Sequence, residues 1–447
     1  MEIVIKLSQF LLSLSLLIVL HELGHFIPAK LFKTRVEKFY LFFDVKFSLL
    51  KKKIGETEYG IGWLPLGGYV KISGMIDESM DKEQMALPPQ PWEFRSKPAW
   101  QRLIIMLGGV TVNFILAFII YIGMAYVYGD LYLNNSELKD GIAVTSPVGE
   151  EVGFKTGDKI ISVDGEAVPK FNDIPNKILF AEIVVVEREG TTKEIRLPID
   201  LIDKLLKGEK QPFISWRQPF VVGSIMDSTA NLTTLEPKDM IVSVDGQPMK
   251  YRDEVIAFAE SHKNSTVDAV VFRNEKNVNT KLHIDKHGKM NIYPASMKLE
   301  NLEKLGIYQF SKQEYSFAES IPAGINRGID EFVGYGKNLK AIFTPATGAY
   351  KGVGGFYAIF NIFPSVWSWE YFWGLTALLS IMLGVVNLLP IPALDGGHVM
   401  FLLYELISGK KPTDKFLEQA QVVGFVLLIM MVLFANGNDV YRAIMGK

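Results

Sequence analysis

Two histidines and a glutamate near the amino terminus have the spacing of a zinc-binding motif. The segment HELGH runs from His21 to His25 and follows an apolar run that ends at Leu20. On a helix, residues four apart share one face, so His21 and His25 could bind the same ion. Glu22 would lie beside that ion and could act as a general base, as in metalloproteases. The alternative is a helix with two buried, hydrogen-bonded histidines and an incidental glutamate.

A third ligand must come from elsewhere in the chain, because catalytic zinc sites use three protein ligands and one open position for water. The chain contains no cysteine, so any metal must be held by histidines and carboxylates. Asp395 supplies a carboxylate in the segment LDGGH, just after Pro390 and Pro392. Prolines break the helix and leave backbone polar groups without hydrogen-bond partners. Inside a membrane such groups are tolerated only where the backbone is buried in protein or lines a cavity. The alternative is that Asp395 caps the following helix.

Four apolar stretches indicate transmembrane helices, since about 20 apolar residues span a bilayer. They cover about residues 4–28, 103–128, 371–394 and 421–435. The first contains HELGH. It begins with Glu2 and has no small-residue cleavage site, so we predict a retained helix rather than a signal peptide. Ionisable residues inside a membrane are costly and usually functional, which favours the catalytic interpretation.

Lysine and arginine residues predict the orientation of these helices. They follow the first stretch, precede the second and lie between the third and fourth, at Lys33, Arg35, Lys38, Arg95, Lys97, Arg102, Lys410, Lys411 and Lys415. These loops are therefore predicted to be cytoplasmic, with both termini and the large central region on the other side. A formal net charge of -2 without a basic block argues against a nucleic-acid partner.

The loop after the first helix is predicted to form strands. The stretch from Tyr59 to Val70 is rich in glycine and aromatic residues and includes Gly60 and Gly62. Glycine within a strand often marks a close backbone approach. We therefore predict a membrane-associated β-hairpin near the site, with a plain surface hairpin as the alternative.

The central region contains an internal repeat. The segment DKIISVDG begins at Asp158 and recurs as DMIVSVDG from Asp239. Each copy predicts a strand that ends in an Asp-Gly turn. Two modules at 133–210 and 211–297 resemble tandem PDZ domains, which take an extended peptide by strand addition. Such a pair could bind peptide C-termini, act as a steric gate for bulky substrates, or serve as a rigid spacer.

Residues 298–370 are predicted to be an amphipathic linker at the membrane surface. Residues from Phe310 to Leu339 could form a helix lying in the interface. The glycine-rich segment 348–363 could form a re-entrant piece.

HELGH together with the later segment N-x-x-P-x-P-x-L-D-G-G resembles the site-2 protease family. The inserted repeat resembles that family's bacterial regulator-of-sigma-E protease branch, and the resemblance covers the whole chain. It implies a polytopic α-helical membrane protein with four transmembrane helices, a membrane-associated β-hairpin and two inserted PDZ-like α+β domains. Residues 1–132 and 371–447 would form the catalytic membrane part, with 298–370 as the linker.

The resemblance also implies the roles of individual residues. His21, His25 and Asp395 would bind one Zn²⁺ ion, and Glu22 would be the catalytic base. Substrate-binding positions are implied at Asn387, Gly60, Gly62, Asn113 and Pro392. Val110 stands where the family usually has proline, which weakens the argument for a kink in the second helix but leaves the predicted zinc site unchanged.

The sequence therefore predicts an intramembrane zinc metalloprotease of the bacterial inner membrane, with its termini and PDZ-like domains in the periplasm. Its predicted partners are the lipid bilayer and transmembrane segments of single-span proteins, such as anti-sigma factors and remnant signal peptides. The alternative is a catalytically silent membrane scaffold whose PDZ pair binds peptides.

Overall fold

A computed structural model describes residues 1–65, 67–75, 87–208, 212–227 and 229–445. The chain divides into two compact units. The first comprises residues 1–129, 314–345 and 349–447, and the second comprises residues 130–313 and 346–348.

The helices and strands are as follows along the chain. The helices are α1 (Glu2–Leu31), α2 (Ala99–Tyr128), α3 (Pro147–Glu151), α4 (Ile174–Ile178), α5 (Leu201–Lys207), α6 (Arg252–Ser261), α7 (Leu299–Lys304), α8 (Phe317–Ile342), α9 (Phe356–Ile362), α10 (Trp369–Leu388), α11 (Asp395–Ser408) and α12 (Asp414–Met445). The strands are β1 (Val36–Leu41), β2 (Phe43–Ile54), β3 (Thr57–Leu64), β4 (Tyr69–Ile72), β5 (Asp130–Leu133), β6 (Ile142–Val144), β7 (Lys159–Val163), β8 (Glu166–Ala167), β9 (Ile183–Arg188), β10 (Thr191–Arg196), β11 (Ile214–Trp216), β12 (Val221–Ile225), β13 (Met240–Val244), β14 (Gln247–Pro248), β15 (Ser265–Arg273), β16 (Lys276–Ile284), β17 (Ile292–Ala295) and β18 (Phe310–Gln313).

The four predicted transmembrane helices are confirmed as helices long and apolar enough to cross a membrane, namely α1, α2, α10 and α12. Their ends differ from prediction. The third helix ends at Leu388, before the predicted Leu394, because Pro390 lacks an N–H and disfavours helical geometry in the residue before it. The fourth extends beyond the predicted 421–435 at both ends, because its hydrogen bonding continues through polar residues.

Buried polar groups join α10 to α1 and α2. The hydroxyls of Ser13 on α1 and Thr376 on α10 lie 3.0 Å apart. The Ser380 hydroxyl donates to the carbonyl oxygen of Asn113 on α2 over 2.8 Å. Hydrogen bonds of this kind hold helices together where lipid supplies no hydrophobic driving force. They place α1, α2 and α10 side by side around the residues singled out above.

A four-stranded sheet, in the order β2-β3-β1-β4, follows α1 in the first unit. The strand β3, which carries Gly60 and Gly62, pairs with β1 on one side and β2 on the other. The resemblance implies that the stretch from Tyr59 to Val70 presents an edge to the substrate. This is wrong for β3, which is paired on both sides, whereas β4, which begins at Tyr69, lies at an edge of the sheet. Both glycines are required by packing within the sheet, because a Cβ atom at Gly60 would overlap the Tyr40 ring and one at Gly62 the Phe43 carbonyl. Leu66, in the loop before β4, lies outside the described residues.

The internal repeat corresponds to β7 and β13 in the second unit, and each strand ends in the predicted Asp-Gly turn. Asp164 and Gly165 have φ values of 49° and 82°, and Asp245 and Gly246 have 47° and 73°. Two successive residues with positive φ are the geometry of a type I′ turn, which Asp-Gly favours. A second strand follows each copy of the repeat, β9 after the first and β15 after the second.

The first residue of each repeat copy has a structural role. The carboxylate of Asp158 receives two hydrogen bonds from the Arg188 guanidinium, at 2.6 and 2.7 Å. Asp239 pairs with Arg273 in the same bidentate way, at 2.7 and 2.6 Å. Both aspartates are buried, and such charge-assisted pairs are strong and directional. The repeated aspartates thus stabilise two similarly built modules and have no part in the metal centre.

Polar contacts join the two modules. Asp140, before β6, accepts hydrogen bonds from the Lys250 ammonium at 2.5 Å and the Tyr251 hydroxyl at 2.7 Å. These bonds hold the pKa of the Asp140 carboxyl below its usual range. The predicted boundary at residues 210 and 211 lies outside the described residues, so the division into domains 133–210 and 211–297 stays a prediction.

The helix predicted in the linker from Phe310 to Leu339 forms only in part. Residues Phe310–Gln313 form β18, which pairs with β5, so the helix α8 begins later, at Phe317. Its glycines pack against α2, with Gly324 on the backbone of Ile122 and Gly328 on the Phe118 ring. The helix thus lies along a candidate membrane span, and its predicted place at the membrane surface stays a prediction.

The predicted re-entrant segment contains the short helix α9. Backbone N–H groups of Gly355 and Ala358, at the start of α9, donate to the buried Asp439 carboxylate of α12 over 3.0 and 3.2 Å. The ring of Phe360, near its end, packs edge-on against Phe10 of α1. These contacts link α9 to the first and last membrane helices.

Candidate metal centre

The two histidines of HELGH point from α1 towards α2. His25 Nδ1 donates a hydrogen bond to the carbonyl oxygen of Ile105 on α2 over 2.8 Å. This bond selects the tautomer in which Nε2 carries no hydrogen, which is the form that binds a metal. The Nε2 atoms of His21 and His25 lie 3.3 Å apart, and both residues are buried.

Asp395 completes a triangle with the two imidazoles. Its Oδ2 atom lies 3.3 Å from Nε2 of His21 and 3.3 Å from Nε2 of His25. Two ligands held about 2.0–2.1 Å from a tetrahedral zinc ion lie about 3.3–3.4 Å apart, which matches this spacing. The Oδ2 atom is buried and accepts no hydrogen bond from any described residue. The three side chains therefore fit a zinc ion, which would satisfy that orphaned acceptor.

The alternative role of Asp395 as a helix cap is not observed. It is the first residue of α11, Leu394 occupies the N-cap position, and no side-chain capping bond is present there. The turn before it is unusual, because Ala393 has a φ of 90°, a conformation rare for a residue with a side chain. Such strained positions cluster at functional sites.

Asn113 lies behind His21 rather than in the wall of the cavity. Its side-chain amide approaches Nδ1 of His21 at 3.0 Å. With Nε2 turned towards a metal, Nδ1 carries the hydrogen and donates, so the amide oxygen must accept. That oxygen, Oδ1, otherwise has no partner among the described residues. This contact suits Asn113 to orienting a metal ligand, and substrate binding by Asn113 stays a prediction.

The other predicted substrate-binding residues are placed differently from one another. Asn387, near the end of α10, brings its amide within 3.3 Å of His21 Nε2, at the metal centre itself. Pro392 lies in the turn before Asp395, where its carbonyl packs against Gly424 of α12. Gly60 and Gly62 lie in β3, inside the sheet. Substrate binding by these residues stays a prediction.

A cavity of about 460 Å³ opens beside the metal centre and includes Glu22 in its wall. The Glu22 carboxylate accepts a hydrogen bond from the backbone N–H of Val70 in β4. Gly68, just before β4, lies close to both Ile18 and Glu22 of α1. The sheet edge therefore runs along the cavity and holds Glu22 next to the two histidines.

Glycines bring α1 and α2 into backbone contact at the metal centre. A Cβ atom on Gly24, inside HELGH, would overlap the carbonyl of Gly108 on α2. A Cβ atom on Gly109 would overlap Nε2 of His25 and lie 2.7 Å from Cε1 of His21. Small residues permit such close helix approach in membranes. Here they leave room for both imidazoles.

We expect Gly109→Ala to lower zinc affinity. The added methyl group must displace both imidazoles, and disturbing the groups that orient ligands typically costs about 10–100-fold in metal affinity. Zinc content measured in zinc-buffered solution would report the loss. The matched control is Gly123→Ala on the same helix, where a Cβ atom would meet nothing within 4 Å. Equal zinc affinity in both variants would contradict the proposed crowding.

Three contacts of this site were not predicted from the sequence. They are the Ile105 carbonyl that orients His25, Gly109 beneath the imidazoles, and Val70 beside Glu22. Every residue has a backbone carbonyl, so the sequence does not indicate which carbonyl accepts the hydrogen bond from His25. The Gly108-Gly109 pair within an apolar span was a usable signal, because adjacent small residues there indicate close helix packing.

Comparisons with known proteins agree with this chemistry. Residues 9–431 match the family model described as Peptidase family M50. A protein named as a zinc metalloprotease in Rickettsia conorii is 25% identical over 446 residues, covering 98% of each chain. The regulator of sigma-E protease RseP of Salmonella typhimurium is 27% identical over 473 residues, covering 99% of this chain and 100% of its own.

Among solved structures, the PDZ domain of an SdrC-like protein from Listeria monocytogenes is 24% identical. It covers 20% of this chain and 94% of its own, with a TM-score of 0.16. A TM-score of that size carries no fold assignment, so the two PDZ-like domains stay a prediction.

Proposed function

Because this chain belongs to peptidase family M50, we propose that it cleaves the transmembrane segments of single-span membrane proteins. The chain is a zinc metalloprotease and a multi-pass membrane protein. The observation that carries the proposal is the triangle of His21, His25 and Asp395, which lies among helices apolar enough to span a membrane. A protease with its metal ligands there meets peptide bonds inside the bilayer.

We assign the proton transfers to Glu22. His21, His25 and Asp395 would hold the ion, which when bound lowers the pKa of a water molecule towards about 7 and polarises a scissile carbonyl. The Glu22 carboxylate would accept a proton from the water that attacks the peptide carbonyl and would then pass it to the leaving amine. The Val70 N–H orients the carboxylate towards the cavity.

The substrate backbone needs new hydrogen-bond partners, because a transmembrane helix must unwind before its peptide bonds can be attacked. The edge strand β4 supplies such partners. Among the described residues β4 pairs only with β1, so its other side is open to a further strand. An unwound segment can therefore add to β4 as a further strand, within reach of the Asn387 amide.

The biological substrates follow by analogy with the relatives. One relative is named a regulator of sigma-E protease, so we propose an anti-sigma factor as a substrate class, together with remnant signal peptides. We also propose the bacterial inner membrane as the location, with the termini and the second unit in the periplasm. There the predicted PDZ-like domains would meet the outer part of a substrate or its free C-terminus.

The position of the cut tests this function. The purified protein would be incubated in detergent micelles with single-span test proteins, and the products would be mapped by mass spectrometry. We expect a cut within the transmembrane segment that a zinc chelator prevents. A cut confined to soluble segments would indicate a membrane-anchored protease of another kind, and zinc-replete protein that cuts nothing would favour a silent scaffold.

A further inference from the structure

A glutamine on α12 lies in the wall of the catalytic cavity. Gln421 lines that cavity together with Glu22, His25 and Asp395. The residue is 4% exposed, although it belongs to a helix whose other residues are mostly exposed in the structure. A polar residue is thus turned inward on the helix that otherwise presents apolar side chains outward.

The amide of Gln421 has no hydrogen-bond partner among the described residues. A buried polar group without a partner costs free energy, and buried amides are nearly always hydrogen-bonded. Its amide atoms are not sealed within protein, since the residue lines the cavity. A group of this kind is suited to a ligand that enters the cavity.

A close helix contact holds Gln421 in this position. One turn further along α12, Gly424 approaches the Pro392 carbonyl so closely that any Cβ atom would overlap it. Pro392 belongs to the turn that delivers Asp395 to the metal centre. The position of Gln421 is therefore tied to that of a metal ligand.

Gln421 also marks the junction of two cavities. A second cavity, lined by Arg102, Glu405 and Lys411 among others, shares His398 and Gln421 with the catalytic one. A polypeptide that passed from the metal centre towards these charged residues would pass the Gln421 amide.

We propose that Gln421 binds the backbone of the substrate beside the scissile bond. A side-chain amide offers both a donor and an acceptor, which is the complement of one peptide group. Backbone recognition suits a protease whose substrates differ in side chains but share an unwound segment. This inference rests on the proposed function, because it concerns the same cavity and the same extended substrate.

The test compares Gln421→Leu with Gln419→Leu. The leucine keeps the size of the side chain and removes its hydrogen bonds, while Gln419 is an exposed glutamine on the same helix. The probe is a single-span peptide with a central Gly-Pro pair and a fluorophore and quencher at its ends, in detergent micelles. For Gln421→Leu we expect KM to rise about tenfold with kcat within about twofold, because uniform binding is lost. Gln419→Leu should match the wild type.

A stability measurement separates substrate binding from a structural role. Because the amide faces the cavity, its removal should leave the midpoint of thermal unfolding of Gln421→Leu at or above that of the wild type, whereas removing a structural hydrogen bond would lower it. Zinc content should be unchanged. A lower unfolding midpoint, a loss of zinc or a wild-type KM would each overturn the assignment.

The failure of this inference differs from the failure of the proposed function. Wild-type protein that binds zinc but leaves the probe uncut would contradict the proposed function. Wild-type protein that cuts the probe, beside a Gln421→Leu variant with the same KM, would contradict only the role of Gln421.

Discussion

Glu22→Gln should abolish peptide cleavage while leaving zinc bound. Glutamine has the same shape and can still accept the hydrogen bond from the Val70 N–H, so the local structure should persist. It cannot take a proton from water at neutral pH, and loss of a general base typically costs about 10²–10⁴-fold in rate. Zinc content by metal analysis and cleavage of a single-span substrate would be measured on the same sample.

The control for this variant is Glu2→Gln, which changes an exposed glutamate on the same helix. It should retain both zinc and activity. A Glu22→Gln variant that cleaves at the wild-type rate would assign the base to another group. A variant that loses both zinc and activity would show that Glu22 supports the metal centre rather than the proton transfer.

Asp395→Ala should remove most of the bound zinc. The carboxylate is one of three ligands and the only anionic one in the triangle, so its loss leaves two neutral imidazoles. Changing the groups that orient metal ligands lowers metal affinity by up to about 100-fold. We expect the loss of a ligand itself to lower zinc affinity further. Zinc per protein after dialysis against a zinc buffer would measure the loss, and cleavage should fall with it.

Asp414→Ala provides the matched control, because Asp414 is an exposed aspartate at the start of another helix. Its zinc content should equal that of the wild type. If Asp395→Ala kept a full complement of zinc, a different residue would be the third ligand and Asp395 would serve the α10–α11 turn alone.

Some residues of the site were predictable because their signals are local or chemically restricted. HELGH places two imidazoles on one helical face by spacing alone. The absence of cysteine limited the candidate metal ligands to histidines and carboxylates. Asp395 was a candidate because it follows an apolar run that is broken by prolines. The positions of the membrane helices were predictable because lipid imposes a length and a composition on them. The predicted ends of these helices were less accurate, since helical hydrogen bonding can continue beyond the apolar residues.

The edge of the sheet could not be predicted in the same way. The glycines of β3 correctly indicated a close backbone approach, but the approaching groups are Tyr40 and Phe43 of the same sheet. Which strand is left unpaired depends on the order β2-β3-β1-β4, in which neighbours in sequence are not all neighbours in space. The contact of Asn113 with His21 was not predicted for a related reason, because only the packing of α2 on α1 sets which ring nitrogen it meets.

The sequence by itself determined the two metal-binding motifs, the four membrane helices and the repeated Asp-Gly turns, because each follows from residue types at short spacing. Only the tertiary structure decided that His21, His25 and Asp395 share one point, that β4 borders Glu22, and that Gln421 faces the cavity. These depend on contacts between segments far apart in the chain. Such contacts are set by which helices pack together, through glycines at positions 24, 108, 109 and 424, rather than by any pattern within one segment.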